Sequence, residues 1–180
     1  DKNLDLIICN GPAGSGKTSL ACDYSLDSLK NKFFNKIIIT RPTISIEENL
    51  GFLPGDINQK MSPWTAPIYD IFKDFFSSTE LEFYIKEGII EVCPLGFIQG
   101  RTFKNSVIIA DEMQNSSNSQ MFMLLTRIGE GSKMIINGDL DQNNDKDNGL
   151  LNLIEKVNYK YDTEIDRYEN RIGIIELDKN

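Results

Sequence analysis

The 180-residue sequence contains no histidine, and this absence excludes several classes of chemistry at once. Catalysis by Ser/His/Asp or Cys/His groups needs an imidazole, and so do the HExxH metalloproteases and histidine-based nucleases. Any catalysis by this chain must therefore rely on carboxylates, lysine, arginine or a bound metal ion.

Cysteine is scarce as well. The three cysteines, Cys9, Cys22 and Cys93, are odd in number and have no CxxC spacing. Disulfide frameworks and zinc sites use paired, closely spaced cysteines, so the sequence predicts neither. We expect all three to be small residues of the core.

Long apolar runs and an excess of positive charge are also missing. No run approaches the roughly 18 residues of a membrane span, and the sequence opens with charged residues instead of a signal peptide. We therefore expect a cytoplasmic protein without a membrane partner. The net charge of −8, from 19 basic and 27 acidic residues, argues against a generally basic nucleic-acid surface but leaves room for a local basic strip.

Hydrophobic patterning predicts strands and helices in alternation. Apolar runs predict strands at 4–9, 36–40, 88–93, 107–110, 132–137 and 172–177, and helical spacing predicts helices from about Lys17 and at 63–76, 79–86, 118–128 and 149–157. Residues 41–62 contain several glycines and prolines, which predicts a loop. The pattern is typical of an α/β fold with a largely parallel sheet and helices on both faces. No linker or repeat divides it, so we expect residues 1–180 to form a single domain.

The stretch GPAGSGKT follows the first apolar run and matches the pattern GxxxxGK[ST] at every fixed position. Its glycines allow backbone N–H groups to turn towards phosphate oxygens, and the helix that begins near Lys17 directs its positive end at them. Lys17 is expected to bridge the β- and γ-phosphates, and Thr18 to offer its hydroxyl to Mg²⁺. The alternative is a glycine-rich turn with a solvated lysine. The predicted nucleotide-binding residues are Gly11, Pro12, Ala13, Gly14, Ser15, Gly16, Lys17, Thr18 and Ser19.

Two acids, Asp111 and Glu112, follow the apolar run 107–110 directly. A buried strand that ends in two carboxylates suits a site that requires negative charge, and a nucleotide brings Mg²⁺ to such a place. We expect Asp111 to hold Mg²⁺ through water, and Glu112 to accept a proton from the water that attacks the γ-phosphate. The alternative is an ordinary turn between a strand and a helix.

A third polar stretch, GDLDQ, follows the strand predicted at 132–137. An uncharged amide beyond a central strand can orient water or sense the γ-phosphate, and Gln142 is the candidate. On local evidence alone, the same residues could form a simple polar turn.

Several stretches together carry a family resemblance: GPAGSGKTSLA, TRPTISIEENLGFLPGDINQKMSPWTAPIYD and PLGFIQGRTFKNSVIIADEMQNSSNSQMFMLLTRIGEGSKMIINGDLDQ. Over residues 6–157 the chain resembles the PhoH-like ATPases, which are similar to the first RecA-like domain of superfamily 1 helicases. The resemblance implies a RecA-like P-loop NTPase fold, ATP as nucleotide, Mg²⁺ as cofactor, and a ring-shaped homo-oligomer such as a hexamer. It also implies a link to single-stranded RNA or DNA, and it matches Gln142 to the helicase motif GDxxQ.

The chain departs from the family pattern at two positions. Met113 stands where the family motif DEAQN has a small residue, and Gln99 stands where an arginine is common. The loss of that arginine weakens any nucleic-acid contact at position 99. We also expect the chain to be a core that lacks flanking segments of the family.

The resemblance aligns Arg41, in the stretch TRP, with a helicase motif that contacts the nucleic-acid backbone. Thr40 and Thr43 add hydroxyl donors beside it. The alternative is a surface arginine held near Glu47 or Glu48.

Phosphoryl transfer leaves charge on the γ-phosphate that Lys17 and Mg²⁺ neutralise only in part, so we expect an arginine from a neighbouring subunit to complete the site. Arg127 is the first candidate, because ring ATPases similar to this one extend an arginine from the helix before the GDLDQ strand. Arg101 is the second. Alternatively, Arg127 only stabilises the dipole of its helix, with Gly129 as an ordinary C-cap.

Two functions remain open at this point. One is an ATPase motor or remodeller that acts on nucleic acid, and the other is an interaction module whose ATP binding regulates a partner. ATP hydrolysis that responds to single-stranded nucleic acid separates the two.

Overall fold

The computed structural model describes residues 4–42, 66, 68–143, 145–162 and 171–178, along which strands and helices alternate. Residues 68–73 are helical, in agreement with part of the predicted helix. The strands are β1 (Leu6–Asn10), β2 (Lys36–Arg41), β3 (Ile90–Pro94), β4 (Ser106–Ala110), β5 (Lys133–Gly138) and β6 (Ile172–Glu176). The labelled helices are α1 (Lys17–Lys30), α2 (Ser78–Lys86), α3 (Asn118–Leu125) and α4 (Gly149–Asp162).

The six strands form one parallel sheet in the order β3-β2-β4-β5-β1-β6. Strand β5 therefore lies between β1, which precedes the glycine-rich loop, and β4, which precedes Asp111 and Glu112. In register, Asn10 pairs with Gly138 and Thr40 pairs with Ala110, so the carboxyl ends of β1, β2, β4 and β5 lie together. We call this side of the sheet the carboxyl edge and the opposite side the amino edge. Ligands of open parallel α/β sheets bind outside the carboxyl ends of the strands.

A hydrophobic core lies on each face of the sheet. On one face, α1, the helical residues 68–73 and α2 pack against alternate strand residues, and on the other face α3 and α4 do so. Strands buried on both faces explain why β2, β4 and β5 read as continuous apolar runs rather than as alternating patterns. This three-layer arrangement confirms the predicted α/β fold and its parallel sheet.

Helix α3 begins as predicted but ends earlier. Its capping box pairs Ser117 with Gln120: the Gln120 N–H donates to the Ser117 hydroxyl, and the Ser117 N–H donates to the Gln120 side chain. The helix stops at Leu125 rather than at residue 128. Beyond it, the chain pairs with the segment before β4, since the Phe103 N–H donates to the Arg127 carbonyl at 2.9 Å. Tertiary pairing thus competes with the last predicted helical turn.

Gly129 is not the C-cap of α3, which corrects the alternative considered for this position. The cap is Thr126, and the Gly129 N–H donates to the Phe103 carbonyl at 2.8 Å. A Cβ at Gly129 would lie 2.5 Å from the Phe103 oxygen. Glycine is required here by the close approach of two backbones rather than by the end of a helix.

The other boundaries differ from the predictions by a few residues. Helical structure near the predicted helix 63–76 ends at residue 73, and residues 74–75 form a turn. In this region Ile68, Phe72 and Phe76 are buried and Phe75 is exposed, whereas most of the loop predicted at 41–62 lies outside the described residues. Helix α4 continues to Asp162, five residues beyond the prediction.

The cysteines are core residues, as predicted. Cys9, Cys22 and Cys93 are buried and form no disulfide. Burial raises the pKa of the Cys22 thiol to about 12, and the nearby Asp111 carboxylate contributes; burial likewise raises the pKa of Cys93 to about 11. These thiols are therefore protonated at neutral pH. Within the described ranges, no helix combines the length and the apolarity that crossing a membrane requires.

Candidate nucleotide site

The glycine-rich loop joins β1 to α1 at the carboxyl edge. Gly14 and Gly16 have φ values of 80° and 85°, which side chains other than glycine rarely adopt. A Cβ built on either residue meets no atom within 4 Å, so the space beside both glycines is open. The helix begins at Lys17, directly after Gly16. A glycine-rich loop that leads directly into a helix N-terminus is an arrangement suited to phosphate binding.

Lys17 turns back over the loop. Its Nζ donates to the carbonyl oxygens of Gly11 and Pro12, at 2.5 and 2.8 Å, and it lies 3.5 Å from the Ser15 hydroxyl. These acceptors are neutral, so phosphate oxygens would be stronger partners for the ammonium group. The structure thus holds the lysine against the loop, and its predicted contact with phosphates stays a prediction.

The two predicted metal-binding residues meet. The Thr18 hydroxyl, from the first turn of α1, donates to Oδ1 of Asp111 at 3.0 Å, although the two residues are 93 positions apart in sequence. Asp111 follows β4, and its side chain is only 2% exposed. Hydroxyl and carboxylate oxygens are the ligand types that Mg²⁺ prefers in proteins, and it commonly keeps several waters.

Asn137, on β5, also reaches Asp111. Its Nδ2 lies 3.4 Å from Oδ1 of Asp111, and its own Oδ1 is buried without a hydrogen-bond partner among the described residues. An orphaned buried acceptor beside the carboxylate suits a hydrated cation, because a metal-bound water could donate to it. The residues present therefore fit a magnesium ion that accompanies a phosphate group.

Arg41 contacts the same carboxylate. Its Nε and Nη2 both donate to Oδ2 of Asp111, at 3.1 and 2.6 Å. The predicted nucleic-acid contact of Arg41 stays a prediction, and the alternative partners Glu47 and Glu48 lie outside the described residues. The structure shows that one role of this arginine is to pair with the predicted metal-site acid.

Glu112 and Gln142, the predicted base and the predicted γ-phosphate sensor, are linked by Gln114. The Gln114 Nε2 donates to the Glu112 carboxylate at 2.7 Å and lies 3.5 Å from Oε1 of Gln142. Gln114 is fully buried, whereas Glu112 and Gln142 are exposed. The buried Gln114 side chain thus contacts both Glu112 and Gln142, which are 30 residues apart in the sequence.

Asp139 connects this network to the glycine-rich loop. Its Oδ2 accepts from the Ala13 N–H at 2.9 Å and from the Gln142 Nε2 at 2.7 Å, and its Oδ1 accepts from the Asp141 N–H. Burial alone would raise the pKa of Asp139, but these hydrogen bonds outweigh it and hold the pKa below its usual value. Asp139 therefore remains ionised and fixes the loop relative to β5.

Arg101 and Arg127 lie away from this cluster. Arg101 forms two hydrogen bonds to the Glu91 carboxylate, one of 2.9 Å, and its guanidinium packs over the Phe103 ring at 4.7 Å. Arg127 donates to the carbonyls of Met123 and Arg101 at the C-terminal end of α3. Neither arginine contacts the glycine-rich loop or Asp111 within the part of the chain that the structure describes.

Sequence reasoning missed Asn137, Gln114 and Asp139, and it missed the pairing of Arg41 with Asp111. One signal was available for the pair. Residues 37, 39, 107 and 109 share the core on the α1 face, so alternation places Arg41 and Asp111 on that face as well. The strand order was needed to make them neighbours.

Comparison with known proteins identifies the family. The family model described as PhoH-like protein matches residues 2–172. The PhoH-like protein of Bacillus subtilis (strain 168) is 47% identical over 141 residues, covering 78% of this chain and 44% of that protein. Protein PhoH of Escherichia coli (strain K12) is 40% identical over 143 residues, covering 78% of this chain and 40% of that protein.

A third relative, the PhoH-like protein of Mycobacterium tuberculosis (strain ATCC 25618 / H37Rv), is 42% identical over 132 residues, covering 73% of this chain and 38% of that protein. The chain thus spans less than half the length of these curated relatives. The parallel six-stranded sheet and the glycine-rich loop between β1 and α1 are those of a P-loop NTPase. Fold, loop and family match agree, and the chain belongs to the PhoH-like protein family of P-loop NTPases.

Proposed function

We propose that this chain binds ATP with Mg²⁺ at the carboxyl edge and hydrolyses its γ-phosphate bond. The observation that carries the proposal is the contact between the Thr18 hydroxyl and Asp111 at 3.0 Å, beside an open glycine-rich loop. It joins two motifs from distant parts of the sequence into one arrangement suited to a metal-bound phosphate. If each motif were only an ordinary turn between a strand and a helix, Thr18 and Asp111 would not need to be in contact.

In the proposed complex, the loop and Lys17 bind the phosphates. Backbone N–H groups of the loop donate to phosphate oxygens, and the positive end of α1 favours their charge. The Lys17 ammonium exchanges the carbonyls of Gly11 and Pro12 for the β- and γ-phosphates. Thr18 and Asp111 are the residues that would hold the metal, and Asp111 would do so through water. The bound Mg²⁺ would neutralise charge that develops on the phosphate oxygens.

Glu112 is the proposed general base. Its carboxylate is exposed and lies next to the metal-site acid in sequence, so it can accept a proton from a water molecule near the γ-phosphate. Gln114 holds this carboxylate at 2.7 Å, and Gln142 orients the water or senses the phosphate. Because Gln114 contacts both groups, the state of the γ-phosphate can influence the position of the base.

Coupling to single-stranded RNA or DNA, and assembly into a ring-shaped homo-oligomer, belong to the same proposal. Their support is the family resemblance of the helicase-like motifs. The alternative, a nucleotide-dependent interaction module, uses the same bound nucleotide without motor activity. The cytoplasmic location expected from the sequence stays a prediction.

Substitution Lys17→Ala tests nucleotide binding. We expect the variant to fold normally and to lose ATP binding, measured by titration of a fluorescent ATP analogue, because the ammonium group that faces the phosphates is gone. Lys86→Ala, an exposed lysine in the last turn of α2, is the matched control and should bind as the unsubstituted chain does. Unchanged affinity in Lys17→Ala would remove the basis of the proposed site.

Hydrolysis of ATP, measured with and without single-stranded RNA and DNA, separates the two functions. Strong stimulation by either nucleic acid is the result expected for a motor or remodeller. Nucleotide binding without stimulated hydrolysis favours the interaction module. Nucleic acids of equal length in double-stranded form serve as the control for general charge effects.

A further inference from the structure

The pairing of Arg41 with Asp111 is built into the sheet. Strands β2 and β4 are neighbours in register, and the Asp111 N–H donates to the Thr40 carbonyl at 2.9 Å. This bond fixes the backbones on either side of the ion pair. The Arg41 side chain is 17% exposed and the Asp111 side chain 2%, so solvent screens the pair only weakly. The Arg41–Asp111 ion pair is therefore largely buried and is not a solvent-exposed surface salt bridge.

The two oxygens of Asp111 have different partners. Oδ2 accepts both hydrogen bonds from Arg41, whereas Oδ1 accepts from Thr18 and lies near Asn137. Arg41 thus supplies the positive charge that this carboxylate needs in the absence of a metal ion. A buried carboxylate without such a partner is strongly destabilising.

A divalent ion that approaches Asp111 without a nucleotide meets the Arg41 cation at the carboxylate and a second cation, Lys17, at the neighbouring glycine-rich loop. The Arg41 guanidinium already occupies one carboxylate oxygen, and the Lys17 ammonium lies over the glycine-rich loop. A metal ion that arrives with a nucleotide brings phosphate charges that offset both cations and offer Arg41 new acceptors. Binding of a free divalent ion and binding of an ion with a nucleotide therefore differ in the net charge around Asp111, whereas the protein ligands are the same.

We propose that Arg41 is a resident counter-ion that keeps free divalent metal away from Asp111 and admits it only together with nucleotide phosphates. This role rests on the proposed function, and it makes metal binding at Asp111 depend on the presence of nucleotide. It also gives the chain a defined response to nucleotide, because binding of metal and nucleotide would weaken the bond between Arg41 and Asp111. A nucleic-acid contact of Arg41 would then compete with its bond to Asp111.

Binding of Mn²⁺, followed by electron paramagnetic resonance of the free ion, tests the proposal. The unsubstituted chain should bind Mn²⁺ weakly alone. Together with a non-hydrolysable ATP analogue it should bind Mn²⁺ at least about tenfold more tightly than either the chain or the analogue does separately, since the analogue itself chelates the ion. Arg41→Met should bind Mn²⁺ alone about tenfold more tightly than the unsubstituted chain. Adding Asp111→Asn to Arg41→Met should abolish that gain.

Two controls accompany the measurement. Arg41→Lys keeps the positive charge and should leave the binding of Mn²⁺ alone weak. Arg171→Met removes an arginine that is paired with Asp5 at the amino edge, and it should bind Mn²⁺ as the unsubstituted chain does. If Arg41→Met does not fold, the affinity of the unsubstituted chain for Mn²⁺ alone still decides, because tight binding that Asp111→Asn abolishes would overturn the proposal.

The outcomes are distinguishable. Tight binding of Mn²⁺ alone by the unsubstituted chain, lost in Asp111→Asn, would overturn the counter-ion role while leaving the nucleotide site intact. Equal affinity of folded Arg41→Met and the unsubstituted chain for Mn²⁺ alone would overturn it as well. Failure of the unsubstituted chain to bind the ATP analogue would overturn the proposed function and this inference together.

Discussion

The backbone of Glu112 lies in the left-handed region, with φ 56° and ψ 35°. Such a conformation costs a residue other than glycine about 1–3 kcal/mol, so neighbouring contacts must hold it. The Asn115 N–H donates to the Glu112 carbonyl at 3.1 Å, and Gln114 donates to its side chain. As a result, two adjacent acids have separate partners: Asp111 pairs with Thr18 and Arg41, and Glu112 with Gln114.

Substitution Glu112→Gln should therefore separate binding from hydrolysis. We expect ATP and Mg²⁺ to bind as before and hydrolysis to slow by about a hundredfold or more, because the amide cannot accept the proton of the attacking water. Single-turnover hydrolysis together with an ATP-binding titration measures both quantities. Glu130→Gln, an exposed acid near the amino edge, is the control. Near-normal turnover would make Glu112 a structural residue.

At the scale of the elements, an ion-pair cluster stabilises the β3 edge of the sheet. Lys36 on β2 contacts the Glu91 carboxylate at 2.8 Å, and Arg101 forms two hydrogen bonds to it. The hydrogen bonds from Arg101, reinforced by Lys36, outweigh burial and lower the pKa of Glu91 to about 2. Charged side chains on an edge strand also oppose pairing with another sheet.

This cluster predicts a pH-dependent contribution to stability. Since the folded pKa of Glu91 lies below its ordinary value of 4.5, the contribution is complete above pH 4.5 and is lost as pH falls towards 2. Glu91→Gln should lower the free energy of unfolding by about 1 kcal/mol at neutral pH, because the groups are about a third exposed and solvent screens them.

Thermal unfolding of Glu91→Gln and the unsubstituted chain between pH 2 and pH 7 measures this contribution. The difference in midpoint should shrink as the solution is acidified. Glu82→Gln, an exposed position on α2, should show no such trend. A difference that stays constant down to pH 2 would contradict the assigned pKa.

At the scale of the whole molecule, Arg127 and the candidate nucleotide site lie on opposite edges of the sheet. Helix α3 runs from the carboxyl edge towards the amino edge, and Arg127, just beyond its end, bonds through its carbonyl to Phe103, before β4. Head-to-tail assembly brings opposite surfaces of identical subunits together. This placement is compatible with a role for Arg127 in a neighbour's site, while its bonds to Met123 and Arg101 also stabilise the helix end.

Mixing two inactive variants tests the role of Arg127. We expect Lys17→Ala and Arg127→Ala subunits to recover part of the ATPase activity when mixed, since an Arg127→Ala site can use the intact arginine of a Lys17→Ala neighbour. In a random equal mixture, about a quarter of the contacts join the two intact halves. No recovery, with mixed oligomers shown to form, would leave Arg127 as a helix-end residue. The same mixture with Arg101→Ala tests the second candidate.

The sequence by itself determined the features that depend on local chemistry. The spacing GxxxxGK[ST] between a strand and a helix predicted the loop and the start of α1, because glycine at positive φ and a lysine at the first helical position act within one turn. Apolar runs likewise predicted six strands, and the acids after β4 predicted a metal-binding side chain at a strand end. Each of these predictions needs only neighbours in sequence.

Only the tertiary structure decided which strand ends meet. The order β3-β2-β4-β5-β1-β6 places Arg41 and Asn137 on either side of Asp111, and no local pattern contains this order. The same holds for the early end of α3, where pairing with Phe103 outweighs helix propensity. The physical reason is common to these cases: hydrogen bonds and ion pairs between residues far apart in sequence depend on how the whole sheet assembles, whereas turns and helix starts depend on adjacent residues.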